Sequence, residues 1–267
     1  MSDVLDGVLA DLEAQSAELD DHVAGLTDEQ WRMPTPAAGW DVATQISHLA
    51  WTDEASVAAA TDKARWDELV LEAIADPQNV VDSAALDGAK VPPSELLGRW
   101  RAGRAALGAA LRSVPEGEKI PWYGPPMSPT SMATARFMET WAHSLDVYDA
   151  LISIGSITGQ PEPTDRIVHV AHIGVRTRNF SFAANDLTPP SEEFRVELTS
   201  PSGQSWTYGP AEAAQRVTGS AIDFCLLVTQ RVNRADTDLV ATGTDADQWL
   251  DVAQCFAGQP GEGRKAR

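Results

Sequence analysis

Prolines cut the first half of this chain into pieces of helix length, which limits the fold more than any other feature. "PTPAAGW" at 34–40 stops whatever precedes it, because proline lacks the amide hydrogen a helix needs. Before it, Val4, Val8, Leu12 and Leu19 recur at near-helical spacing among Asp and Glu. That spacing predicts an amphipathic helix over 3–24. After it, Asp41 can cap a second helix running to about residue 60. "PPSELLGRWRAGRAALGAALRSVP" opens on a Pro-Pro-Ser start signal and ends at Pro115, which predicts a third helix. Ser128 followed by Pro129 reads as an N-cap with proline at the first helical position. The fourth helix starts there and ends near Gly155. Residues 66–90 read as a helical turn followed by loop, and "IPWYGPPM" as a loop. Four long helices with modest loops predict a helix bundle over 1–157.

The second half has a different texture. "GQPEP" at 159–163 reads as a linker, and residues 165–180 as helical. "FRVELTSPSGQSWTYG" alternates apolar and polar residues on both sides of Pro201-Ser202-Gly203, the pattern of a β-hairpin. "SAIDFCLLVTQRV" and "DADQWLDVAQCFAG" predict two more helices, with a short strand around "TDLVATG". The expectation is a mainly α chain: a four-helix bundle, a small α+β domain over 164–258, and a disordered tail at 259–267.

Composition narrows the function. Hydrophobic residues make up 43% of the 267, the content of a globular chain. The net charge of −19 leaves no basic surface to displace phosphate counterions, which argues against nucleic-acid binding. "MSDVLDGVLADLE" lacks the basic and apolar regions of a signal peptide. No stretch approaches the roughly 20 apolar residues of a membrane helix. Cys225 and Cys255 sit among apolar neighbours and read as reduced core thiols, so a cytoplasmic protein is expected.

The chemistry concentrates in "METWAHSLD". Glu139, His143 and Asp146 stand at offsets of four and three, so they share one helix face. His48 lies on the second predicted helix, and helices of one bundle can aim side chains into a common interior. Two imidazoles and a carboxylate suit a borderline divalent ion, with a coordination position left over. Spacing alone also permits a helix-surface Glu–His pair and a hydrogen-bonded core histidine. Trp51, Trp141 and Leu49 tilt the balance, since an unpaired carboxylate among apolar groups is costly. His169 and His172 share a face of a later helix, with Arg176 and Arg178 close behind. They read either as cleft residues or as a half-exposed amphipathic pair.

"GWDVATQISHLAWTDE" and, some ninety residues on, "ETWAHSLDVYDAL" resemble the DinB-like superfamily. The cues are W-x-V-x-x-x-x-x-H-L and E-x-W-x-H-x-x-D. The likeness is strongest to the mycothiol-dependent maleylpyruvate isomerase N-terminal domain. "IVHVAHIGVRTRNF", "RVELTSPSGQSWTYGP" and "VTGSAIDFCLLVTQR" resemble the C-terminal part of an actinobacterial two-domain metal-binding family. The resemblance implies a DinB-like bundle with metal ligands at His48, Glu139 and His143. It puts Asp146 at a recurrent aspartate, which orients a ligand or a helix; for metal-water hydrolysis Asp146 is the candidate general base. It puts Arg231 closest to an arginine that reaches the interdomain cleft of the isomerase. It implies zinc as the ion, with nickel or iron as other fits to the donor set. It implies mycothiol as co-substrate and a small electrophile as substrate, in isomerisation or S-transfer. A metal-binding scaffold without turnover and a metal-water hydrolase remain as alternative functions, and a homodimer as an assembly.

Overall fold

A computed structural model describes residues 3–258, 260, 261 and 263–267. The chain divides into two compact units, Met1–Gln160 and Pro161–Arg267.

Four long helices dominate the first unit: α1 (Asp3–Val23), α3 (Val42–Thr61), α6 (Pro93–Ser113) and α7 (Pro129–Ser153). Local chemistry sets their starts. Asp41 Oδ1 accepts from the Thr44 amide at 2.7 Å, and Ser128 Oγ accepts from the Ser131 amide at 3.1 Å with Pro129 next in line. Each cap satisfies an amide that the first turn leaves without a helical partner. α3 lies at the centre, packed on α6 and α7, while α1 packs on α7. Leu19, Ile46, Leu49, Leu96, Trp100, Val147 and Leu151 fill the space between them. Burying each such side chain is worth about 1.5–3 kcal/mol.

Three short helices complete the unit: α2 (Asp28–Trp31), α4 (Lys63–Ala75) and α5 (Val80–Gly88). The last two correct the expectation of a turn and loop over 66–90. Asp62 caps α4 by accepting from the Arg65 amide at 3.1 Å. Trp66 and Leu69, three apart, bury one face of α4 against Ala55 and Ala58 of α3. α5 closes on α3 so tightly that a Cβ on Gly88 would stand 2.3 Å from Ser47 Oγ.

The second unit begins with a 3₁₀ turn at Asp165–Ile167, then α8 (Val168–Arg176) and α9 (Arg178–Ala184). Strands β1 (Phe194–Thr199) and β2 (Ser205–Tyr208) form an antiparallel hairpin with Thr199 opposite Ser205. β3 (Gln215–Ser220) runs parallel to β1 on its other side, and β4 (Val240–Thr242) closes the sheet order β2-β1-β3-β4. α10 (Ala221–Val228) and α11 (Thr244–Val252) supply Phe224 and Trp249, whose rings meet edge to face at 5.7 Å. Phe194, Val196 and Leu198 of β1 are buried, in the alternation of a one-sided sheet. The tail expected at 259–267 includes Gln259 and Glu262, which lie outside the described residues. Of the others, Gly261 donates to Gln230 at 3.2 Å and Arg264 accepts from Asn233 at 2.8 Å.

Candidate metal centre

Two neighbouring helices bring the predicted ligands together. α3 carries His48, which is 6% exposed. α7 carries Glu139 and His143 one turn apart. Glu139 Oε2 lies 3.1 Å from His48 Nε2 and 3.2 Å from His143 Nε2. The three groups offer one donor atom each, all within 4.8 Å of one another. Burial alone would push the Glu139 carboxyl up. Hydrogen bonds with His143 and His48, helped by the charges of His48 and Arg136, hold it well below the usual carboxylate range.

Aromatic rings shield the cluster. Trp40, in the loop before α3, stacks on His143 at 5.8 Å and tilts toward His48 at 5.3 Å. Its indole N–H donates to Asp82 of α5 at 3.0 Å, which fixes the ring. Trp51 stands 6.3 Å from His48. Trp122 stacks on Trp66 instead, and Trp141 is a 5% exposed core residue.

Polar groups around the cluster are tied down. Gln45, one turn before His48, meets His143 Nδ1 through Oε1 at 2.5 Å. Thr52 donates to the His48 carbonyl at 2.8 Å and accepts from Arg136 Nη2 at 2.6 Å. Arg136 also donates to Asp53 at 3.1 Å, and both are almost fully buried. Burial raises the Asp53 carboxyl against the opposing pull of Arg136.

The donor set fits the metal that the sequence resemblance implies. Two imidazole nitrogens and one carboxylate oxygen are ligands for zinc and for other borderline divalent ions. Buried His48 Nδ1 has no hydrogen-bond partner among the described residues, so this ring's polar contact is the one its Nε2 makes with Glu139.

The other sequence candidates lie elsewhere. Asp146 is 1% exposed on α7 and contributes no atom to the three-residue cluster. Arg231 belongs to the second unit, where its Nη1 donates to the Thr229 carbonyl at 2.6 Å. His169 and His172 sit on α8. The His172 ring lies 6.4 Å from Tyr208, and burial, then Arg176 and His169, push its imidazole below the ordinary value. Sequence reasoning held Trp40 only as the first residue of the W-x-V cue and gave Gln45 and Arg136 no role. Gln45 carried a local signal, its three-residue offset from His48.

Comparison with known proteins extends this picture. Residues 12–148 match the family model described as mycothiol maleylpyruvate isomerase N-terminal domain. The chain belongs to that family. The family's matched span runs from α1 into α7 and contains all three clustered ligands. Residues 190–242 match a second family model, described as wyosine base formation. Two relatives from Mycobacterium tuberculosis, the uncharacterized proteins Rv0036c (strain H37Rv) and MT0041 (strain CDC 1551), are 54% identical over 96% of this chain and 97% of their own length. The crystal structure of the mycothiol-dependent maleylpyruvate isomerase matches with a TM-score of 0.57 at 13% identity, over 90% of this chain and 95% of that one. A histidine-to-alanine mutant of that isomerase matches equally well. At this identity the likeness carries the fold: a DinB-like bundle followed by a small α+β unit. No helix among the described residues is long and apolar enough to cross a membrane.

Proposed function

We propose that this protein is a metal-dependent thiol enzyme, an isomerase or S-transferase that uses mycothiol on a small electrophile. The observation that carries the reading is the convergence of His48, Glu139 and His143 within 4.8 Å in a partly buried aromatic setting, in a chain of this family. These three residues hold a divalent ion, zinc first and nickel or iron as the other fits. Once bound, the ion favours thiolate over thiol at its open position, and thiolate is the nucleophile.

The chain's own residues supply the rest. Glu139 stays ionised, which gives the site its one anionic ligand. Trp40 and Trp51 keep bulk water from the donor atoms. Asp146 steadies α7 beneath the ligands. Arg231 anchors a carboxylate of thiol or substrate, a planar group that a guanidinium grips with two hydrogen bonds. The last two roles rest on the family resemblance.

Metal analysis followed by thiol titration tests this reading. Wild-type protein carries about one divalent ion, while His48→Ala and His143→Ala lose most of it, because two ligands bind far more weakly than three. A mycothiol-type thiol at millimolar concentration then raises the melting temperature of the holo protein and leaves the apo protein unchanged. Mycothiol with maleylpyruvate, the pair in the structural neighbour's name, is the first activity assay. Equal metal in wild type and both variants defeats the site. Bound metal with no thiol response leaves a metal-binding scaffold.

A further inference from the structure

We infer that Gln45 is a positioning residue that locks His143 in the tautomer with its proton on Nδ1. The role rests on the metal reading above, but the tautomer itself follows from hydrogen-bond directions alone.

The chain of directions starts at a main-chain carbonyl, which can only accept. Thr35 Oγ1 lies 2.9 Å from the Trp40 carbonyl oxygen, so the single hydroxyl proton of Thr35 points there. The Thr35 amide donates to the same carbonyl at 2.8 Å, which holds the two residues in one orientation. With its proton used, the Thr35 oxygen can only accept from Gln45, 2.8 Å away. The Gln45 amide nitrogen therefore faces Thr35. A flipped amide would set two acceptors against each other. Gln45 Oε1 must then face His143 Nδ1, as found at 2.5 Å. A carbonyl oxygen only accepts, so Nδ1 carries a proton.

The consequence falls on the other ring nitrogen. In a neutral imidazole with Nδ1–H, Nε2 holds a lone pair. His143 Nε2 faces Glu139 Oε2 at 3.2 Å, and His48 Nε2 stands 3.1 Å from the same oxygen. Two acceptors at that distance repel unless a cation or a proton lies between them. Gln45 thus keeps a proton on Nδ1, the ring nitrogen that faces away from Glu139, and leaves Nε2 as the nitrogen turned to the cluster. Gln45 is itself completely buried, so water cannot scramble its amide. The Trp40 ring, stacked on His143 at an interplanar angle of 17°, holds the imidazole plane. Both devices come from one short segment, residues 35–45, tied back by the Thr35–Trp40 bonds.

Nitrogen-15 NMR of the imidazoles in metal-free full-length protein tests the assignment directly. Wild type should show His143 with a protonated Nδ1. Gln45→Met keeps the side-chain volume and removes the acceptor. It should shift His143 toward the other tautomer and weaken zinc binding, read by chelator competition, by about 10- to 100-fold. Gln45→Glu keeps an acceptor against Nδ1 and should restore zinc affinity to within a few-fold of wild type. Thr35→Val frees the amide to flip without touching His143, and should give mixed tautomers and a smaller loss. The apo melting temperature of each variant separates these effects from misfolding. A wild-type His143 protonated on Nε2 alone overturns the inference, as does an unchanged tautomer in Gln45→Met. Absence of zinc binding in wild type with Nδ1–H observed defeats the metal reading and leaves the tautomer lock standing.

Discussion

Two charged clusters join the same two helices, and they are finished differently. Arg136 of α7 donates to Asp53 and Thr52 of α3, and every contact is protein to protein. Beside it, Glu139 of α7 faces His48 of α3 and its own helix neighbour His143 through a single carboxylate oxygen. The first cluster is closed: a cation meets an anion, and a hydroxyl takes up a remaining guanidinium proton. The second is open: one anion confronts two ring nitrogens, and Gln45 meets the far nitrogen of one of those rings. A closed buried pair fixes how α3 and α7 meet. An open one leaves room for an ion that the chain does not provide. Charge burial by itself therefore does not mark the functional site, and incomplete pairing is the better signal.

The sharpest way to break this comparison is to open the closed cluster. Arg136→Met leaves Asp53 as a buried carboxylate without its cation. Removing one member of a buried pair costs about 3–5 kcal/mol. The loss should be present in apo as well as in holo protein when read by equilibrium denaturation. The double variant Arg136→Met with Asp53→Leu should recover much of it, because an apolar replacement no longer strands a charge. A loss in the single variant confined to the holo form would mean that Arg136 serves the ion rather than the fold.

Acid separates the clusters by a smaller margin. Asp20 of α1 belongs to a second closed cluster, with Arg101 and Arg104 of α6 at 2.8 and 2.6 Å. The Arg101 hydrogen bond, opposed by burial and aided by the Arg104 charge, lowers its carboxyl below the ordinary 3.8. A lowered folded-state value means stability that is present above 3.8 and fades as pH falls through the lower folded value. The open cluster should fail earlier, since protons compete with the ion for imidazole ligands in mild acid. Metal loss, and with it about 3 kcal/mol of linked stability at a hundredfold excess over Kd, should precede acid unfolding. Asp20→Asn should flatten the later limb and leave the metal-release limb in place. Coincident metal release and unfolding would contradict the distinction.

Features readable from the sequence were those with local causes. Asp41 and Ser128-Pro129 announced α3 and α7 because a cap acts within one turn. The hairpin was legible through the alternation of β1 and the turn at Pro201-Ser202-Gly203. β3 was not, because in "QRVTGS" only Val217 is apolar and buried. That strand exists through its pairing with β1 and β4. At the site, His48, Glu139 and His143 were named from spacing and resemblance. Gln45 and Arg136 were not, because their partners are 98 and 83 residues away in sequence. Their meaning depends on how α3 and α7 pack.

The smallest expected effect bears on the rival reading of Glu139 and His143 as an ordinary helix-surface pair. α4 contains such a pair at the same spacing. Lys63 and Asp67 stand at i and i+4, with Lys63 Nζ 2.5 Å from Asp67 Oδ2 and side chains 85% and 54% exposed. Glu139 and His143 have the same offset, but their side chains are only 21% and 13% exposed. Water screens the first pair and lets both long side chains move, so its attraction is offset by solvation and lost freedom. Lys63→Ala should therefore cost no more than about 0.5 kcal/mol, and added salt should erase the difference from wild type. His143→Ala should lose its ion-linked stability in high salt as well as in low, because the partly buried donor atoms are poorly screened. If the two substitutions show the same magnitude and salt dependence in the presence of zinc, burial has not separated the pairs. Glu139 and His143 would then return to the surface-pair reading that their spacing alone allows.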